Sequence, residues 1–303
     1  MTARRRAAPV LAALIVCAAA VTAAQRGEPP TFRSAIELTT VNATVVDRSG
    51  HLVRELPREA FEVFEDGEPQ VVSQFTNERV PVSLAMLLDV SDSMFGKRIA
   101  DAREAVQTFV TDLLDPADEF SILAFNHRQH LLTEWTDDRE AAEQVLAPIH
   151  PSGSTAIYDA ILATLPLVES RRRQRAALLL ISDGGDTASD ATLRDVRSAL
   201  LRSDAFVYAI AIEATTRYPI NRPVAANALK EITDQSGGST QVVQSSGEVI
   251  SAMWEIADEL NSQYLIGYTS AKSNDGKYHS IRVRVKGSDY RVRARNGYVG
   301  TRR

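Results

Sequence analysis

One cysteine, Cys17, occurs in 303 residues. The chain therefore cannot close an intramolecular disulfide in any compartment, and its stability has to come from a packed core. A run of about 20 apolar residues that would span a hydrocarbon core is also missing. The apolar stretch from Val10 to Val21 falls short of that length. Basic charge is not in excess: 34 Lys and Arg stand against 39 Asp and Glu, for a net charge of −5. That balance argues against a nucleic-acid binder. Neither Gly184-Gly185 nor Gly237-Gly238 sits in a phosphate- or dinucleotide-binding motif. His127 and His130 have no Cys, Asp or Glu at zinc-ligand spacing. No Ser-His-acid arrangement announces itself, and there is no internal repeat or long low-complexity tract.

What is present begins with Arg4, Arg5 and Arg6, then the short apolar stretch, then Thr22, Ala23 and Ala24. This layout predicts a secretory signal peptide over residues 1–24, cleaved after Ala23 or Ala24. Cleavage removes Cys17 and three positive charges, and leaves no membrane-spanning segment in the mature chain. The expected location is the periplasm or the medium. Residues 25–35 read as a polar linker rich in Gly and Pro.

Two β-rich flanks enclose a central region. Residues 36–78 predict a small N-terminal β unit, with strands at Ile36–Val46 and Phe61–Phe64. Asp66-Gly67 gives a hairpin signal, and Val71–Phe75 is expected to return beside it. Residues 79–262 alternate apolar strands (82–88, 120–125, 176–181, 206–211) with amphipathic helices. This predicts a doubly wound α/β domain with a mostly parallel sheet and ligands beyond the strands' C-terminal ends. Residues 263–300 return to strands, with Ile281, Val283 and Val285 alternating with Arg282, Arg284 and Lys286. Solvation and edge protection account for that basic stripe, and binding of an anionic partner is the alternative.

The chemistry gathers at loops beside the buried strands. The run Leu84 to Met94 delivers Asp89, Ser91 and Ser93 to the end of one strand. Gly153 to Thr155 offers another hydroxyl, and Leu178 to Gly185 delivers Asp183 from a second strand. Such a set suits a hard divalent cation, Mg²⁺ first, with Mn²⁺ or Ca²⁺ as substitutes. Asp92, His150 and Asp186 are rim candidates, although a turn position explains Asp186 and a solvent-facing loop explains His150.

This constellation resembles the metal-ion-dependent adhesion site of the von Willebrand factor type A family. The flanks resemble a narrower group of exported bacterial proteins related to that family. The resemblance covers residues 82 to about 262 and implies direct metal contacts from Ser91, Ser93 and Thr155. Asp89 and Asp183 then act wholly or partly through coordinated water. It further implies a non-enzymatic adhesion module whose metal engages an Asp or Glu of a protein partner. A structural or envelope-assembly scaffold is the second expectation, and a metal-dependent hydrolase ranks below both. The oligomeric state is not legible in the sequence.

Overall fold

The chain opens with β1 (Leu38–Val46), β2 (Phe61–Glu65), β3 (Glu68–Gln70) and β4 (Val72–Thr76). Next come β5 (Val82–Asp89), α1 (Lys97–Thr108), β6 (Glu119–Phe125), β7 (Gln129–Thr136), α2 (Arg139–Leu146) and α3 (Ile157–Glu169). They are followed by β8 (Arg175–Ser182), α4 (Leu193–Leu200), β9 (Phe206–Ile212), α5 (Arg222–Ser236), β10 (Thr240–Val243) and α6 (Ser246–Asn261). β11 (Tyr264–Thr269), β12 (Tyr278–Val285), β13 (Arg291–Ala294) and β14 (Gly297–Val299) close it. The computed structural model describes residues 38–183, 185–212, 222–287 and 289–301. The expected signal peptide, with Cys17, and the linker lie outside the described residues.

Every residue of β5, β6 and β8 is buried, as their near-continuous apolar sequence demands of strands covered on both faces. The central sheet runs β10-β9-β8-β5-β6-β7. All its pairings are parallel except β6 with β7. Alternation within β5 sorts its side chains between two layers. Leu84, Met86 and Leu88 pack with Ala102 of α1, Ala142 of α2 and Met253 of α6. Ala85 and Leu87 pack with Ile161 of α3, Val196 of α4 and Ile232 of α5. Each buried Leu contributes about 1.5–3 kcal/mol.

Local signals set several boundaries. Asp138 caps α2, its side chain accepting from the Glu140 N–H, and Thr192 with Asp195 forms a capping box on α4. Each satisfies backbone donors that the first helical turn leaves unpaired.

The two flanks build one structure rather than two. One four-stranded sheet has the order β13-β1-β11-β4 and the other β14-β12-β2-β3. Between them lies an apolar core that includes Val41, Phe61, Val63, Tyr264, Ile266, Ile281 and Val283. Asp66 and Gly67 take φ of 51° and 85°, the positive values a tight two-residue hairpin needs. The returning strand is β3, however. The 71–75 segment, expected beside β2, instead enters the other sheet as β4 against β11.

A buried polar cluster ties this sandwich to the α/β body. Glu259 on α6 accepts from Thr44 Oγ1 at 3.0 Å and from Tyr208 Oη at 2.9 Å, and pairs with Arg293. Burial, then the adjacent Glu259 charge, pushes the Tyr208 phenol well above its usual range. Tyr208 therefore donates as a neutral hydroxyl.

Candidate metal site

β5 lies where the winding reverses. The chain passes from β5 to β6 on one side and later to β8 on the other. Loops at such a reversal splay apart and open a crevice at the strands' C-terminal ends. The register Leu88↔Ile181 places Asp89 and Ser182 at that edge, with Asp183 one residue beyond.

Asp89 is fully buried. Its Oδ2 accepts from Ser182 Oγ at 2.6 Å and its Oδ1 from the Ser91 N–H at 2.8 Å. Burial pushes its pKa up to about 6 against these two stabilising bonds, and the Asp183 charge pushes the same way. Ser91 Oγ stands 3.0 Å from Ser93 Oγ, and Ser93 Oγ donates to Asp183 Oδ1 at 2.6 Å. Asp89, Ser91, Ser93 and Asp183 thus form one contiguous polar cluster through Ser182 and the Ser91 backbone.

Thr155 reaches this edge through its loop. The Asp92 N–H donates to the Gly153 carbonyl at 2.8 Å, and the Ser152 N–H donates to the Val90 carbonyl at 2.8 Å. Asn126 Nδ2 donates to the Ser152 carbonyl at 2.7 Å. On its other side, the Thr155 carbonyl accepts from the N–H groups of Thr187 and Ala188 at 2.8 and 3.0 Å. The three motif loops are stitched together by backbone bonds.

The rim residues divide. Asp92 is exposed beside the ligand candidates. Asp186 serves the start of α3, its Oδ1 accepting from the Tyr158 N–H at 3.3 Å and from Ser189 Oγ at 2.5 Å. His150 is exposed and takes no part in the hydrogen bonds of the cluster.

Four features of the site escaped sequence reasoning. Arg98, on the first turn of α1, places Nη1 2.8 Å from Asp183 Oδ2 and also reaches the Ser93 carbonyl. The five-residue interval from Ser93 was the only available hint. Ser182 supplies the donor that holds Asp89. Phe95 stands beside the cluster with 78% of its surface exposed. Gly153 has φ +76°, and a Cβ there would lie 2.4 Å from His127 Nδ1.

The donor set fits a small hard cation. Adjacent vertices of an octahedron with bonds of about 2.1 Å lie about 3 Å apart, and the two serine hydroxyls are 3.0 Å apart. Among the described residues no group of three His, Cys, Asp or Glu side chains is placed to hold a metal. A cation held at this edge would therefore depend on hydroxyls, which would leave much of its charge uncompensated. Arg98 is itself a covalently attached cation at the Asp183 carboxylate.

Layer order, reversal point and hydroxyl-rich loops define a class of doubly wound α/β domain with a polar edge at the strands' C-terminal ends. The sequence model of the family described as von Willebrand factor type A domain matches residues 84–185. The chain carries a von Willebrand factor type A domain. Among solved structures, a von Willebrand factor type A protein from Catenulispora acidiphila aligns with a TM-score of 0.52 at 14% identity, covering 80% of this chain and 74% of its own. The PilB minor pilin of Streptococcus sanguinis aligns with a TM-score of 0.50 at 10% identity, covering 62% of this chain and 63% of its own. These likenesses concern the fold. Inter-alpha-trypsin inhibitor heavy chain H2 of Mesocricetus auratus is 21% identical over 69% of this chain. Heavy chain H4 of Sus scrofa is 28% identical over 40%. The aligned regions make up 23% and 14% of those proteins' lengths. No helix among the described residues is long and apolar enough to cross a membrane.

Proposed function

We propose that the chain is an exported, non-enzymatic protein-binding module that holds Mg²⁺ through Ser91, Ser93 and Thr155, with Asp89 and Asp183 steadying its water ligands. The observation that carries this reading is the 3.0 Å pair of serine hydroxyls between two buried carboxylates at the sheet's reversal point. When bound, Mg²⁺ supplies a Lewis-acidic vertex for a carboxylate oxygen. The protein's own groups hold that vertex at an open edge: the Ser182 hydroxyl fixes Asp89, and backbone bonds fix the Thr155 loop. Exposed Phe95 beside the site gives a partner's apolar residue a surface to cover. Hydroxyls committed to a cation are poor nucleophiles, and among the described residues no histidine hydrogen-bonds to the cluster, so hydrolysis finds no support.

One observation favours a scaffold reading as well. Arg98 neutralises Asp183 from within the chain, as it would in a site whose polar groups only lock loops together. Calorimetric titration of Mg²⁺ into wild type and a verified folded Asp89→Ala protein separates the two. Binding by wild type that is lost in the variant supports the metal module. Equal binding, or none to either protein, leaves the scaffold. Pull-down from envelope extract with Mg²⁺ or EDTA then tests whether partner recovery follows the metal.

A further inference from the structure

Between residues 281 and 295 the chain has six basic residues and one acidic residue, in a sequence whose net charge is −5. Arg293 pairs with Glu259, and Lys286 Nζ donates to the Glu59 carbonyl at 2.9 Å. Arg282, Arg284, Arg291 and Arg295 have no carboxylate within 4.0 Å among the described residues. Even Glu62, which stands opposite Arg284 in the ladder, does not come that close. Edge protection accounts for arginines on an outer strand, but β12 lies inside its sheet, between β14 and β2. Solvation accounts for polar side chains on its outward face. Neither accounts for three unpaired guanidinium groups at one cleft.

That cleft is lined by Arg282, Arg284 and Arg295, together with Phe64, Val292 and Ala294, and has a volume of about 560 Å³. Phe64 is the ladder partner of Arg282, yet the Arg284 guanidinium sits 5.4 Å from its ring centroid. Arg284 thus leans back toward the rung of Arg282, and the ring face holds it there. Arg295 is fixed by other contacts. Its Nε donates to the Gly297 carbonyl at 3.2 Å, and its guanidinium sits 5.5 Å from the Tyr298 ring centroid. The two terminal nitrogens of Arg295 have no hydrogen-bond partner among the described residues, and the side chains of Arg282 and Arg284 have none either. Burial lowers the Arg295 pKa, the mark of a charge short of compensation.

We propose that this cleft binds a phosphomonoester, with the phosphate among the guanidinium groups of Arg282, Arg284 and Arg295 and the organic body over Val292 and Ala294. Each guanidinium presents parallel N–H groups that match two oxygens of a phosphate. Near pH 7 a phosphomonoester carries a charge of about −1.5 to −2 and three strong acceptor oxygens. Three cations suit that charge better than the single charge of a carboxylate or a sulfate ester. The cleft volume falls within the range of about 300–1,000 Å³ usual for small-ligand sites, so it has room for more than the phosphate. A lipid headgroup and a soluble molecule can present this group alike. Neither Asp89 nor any other residue of the metal site takes part.

The test is calorimetric titration of phenyl phosphate into the full chain, in EDTA and at low salt. Affinity should fall about tenfold or more in Arg282→Gln/Arg284→Gln, whose side chains are exposed, and should fall in wild type as salt rises. Arg295→Lys keeps the charge but loses the fork, and should weaken binding at least about threefold. Phenyl sulfate, with a similar body and one charge, should bind at least about threefold more weakly than phenyl phosphate. Asp89→Ala should bind as wild type does, which separates this cleft from the metal site. Co-sedimentation with vesicles of phosphatidic acid in phosphatidylcholine, against phosphatidylcholine alone, decides the source of the group. Retention that phenyl phosphate competes away assigns a lipid headgroup, and phenyl phosphate binding without retention assigns a soluble ligand. No binding of phenyl phosphate at about 10 mM would overturn the proposal. So would equal affinity in either arginine variant, or phenyl sulfate binding as tightly as phenyl phosphate.

Discussion

Arg98 Nη1 and Asp183 Oδ2 are 2.8 Å apart, and the Asp183 side chain is 1% exposed against 26% for Arg98. A guanidinium from α1 thus occupies one face of a carboxylate that β8 delivers to the candidate site. Arg98 lowers the electrostatic attraction of the site for a divalent cation and at the same time holds the loops together.

Arg98→Gln should therefore tighten Mg²⁺ binding by about threefold to tenfold, the effect of removing a partly screened like charge. In EDTA the same variant should lose about 0.5–1 kcal/mol of stability with the ion pair. Calorimetric titration and urea unfolding read the two effects separately. Weaker or unchanged Mg²⁺ affinity in a folded variant would show that Arg98 assists the site.

Gly153→Ala should destabilise the protein by about 1–2 kcal/mol, because an L side chain is strained at φ +76°. His127 is exposed, so its ring can swing aside and His127→Ala should recover only the steric part. A double-mutant cycle by urea denaturation measures that coupling. Full recovery by His127→Ala would place the whole cost in the ring contact.

Glu259→Leu should cost about 2–3 kcal/mol, since it takes the acceptor from the Thr44 and Tyr208 hydroxyl protons and the partner from the Arg293 charge, while Gln263 Nε2 still donates to both hydroxyls. Thermal unfolding should reveal the α/β body and the sandwich loosening together. A shift below about 0.5 kcal/mol would show that water replaces the lost carboxylate without penalty.

His279 carries a pH signature. Its Nδ1 lies 2.8 Å from Asp66 Oδ2 and its Nε2 3.0 Å from Asp275 Oδ1. Burial pulls the imidazole pKa down, but the Asp275 and Asp66 bonds outweigh it and the net shift is upward. Folding thus favours the protonated ring. That stability is complete below the unfolded value of about 6.5 and is lost as pH rises through the higher folded value. Asp66 shifts downward, chiefly through Lys272 and next through His279, so its contribution appears above its unfolded pKa and is lost in acid. Urea midpoints at about pH 6 and about pH 9 should differ more in wild type than in His279→Gln. Equal differences would exclude the ring as their source.

Much of the architecture was legible because its signals are local. All-buried strands read as apolar runs, and Asp66-Gly67 can take positive φ where few residue pairs can. Asp89, Ser91, Ser93, Thr155 and Asp183 stand out as site candidates for a related reason: a strand end is where a buried chain can first turn polar. The hydroxyl pair and the Asp183 contact bring Ser91, Ser93 and Asp183 together, and Thr155 is tied to the same edge through its backbone bonds.

Tertiary structure decided what depends on partners distant in sequence. The 71–75 segment has the same strand character beside β2 or beside β11. The choice went to β11 because Glu68–Gln70 already fills the hairpin, and because Phe75 stacks on Tyr264 at 6.1 Å. The sequence likewise shows Arg98 as one more charge on a helix. Its role follows from the packing of α1 on the central sheet, where Ala102 and Val106 are buried and Arg98 reaches Asp183. Local pattern specified which segments are strands and which loops carry oxygen ligands. Packing alone specified which charge meets which, because a side chain's electrostatic neighbours depend on distances that no short stretch of sequence contains.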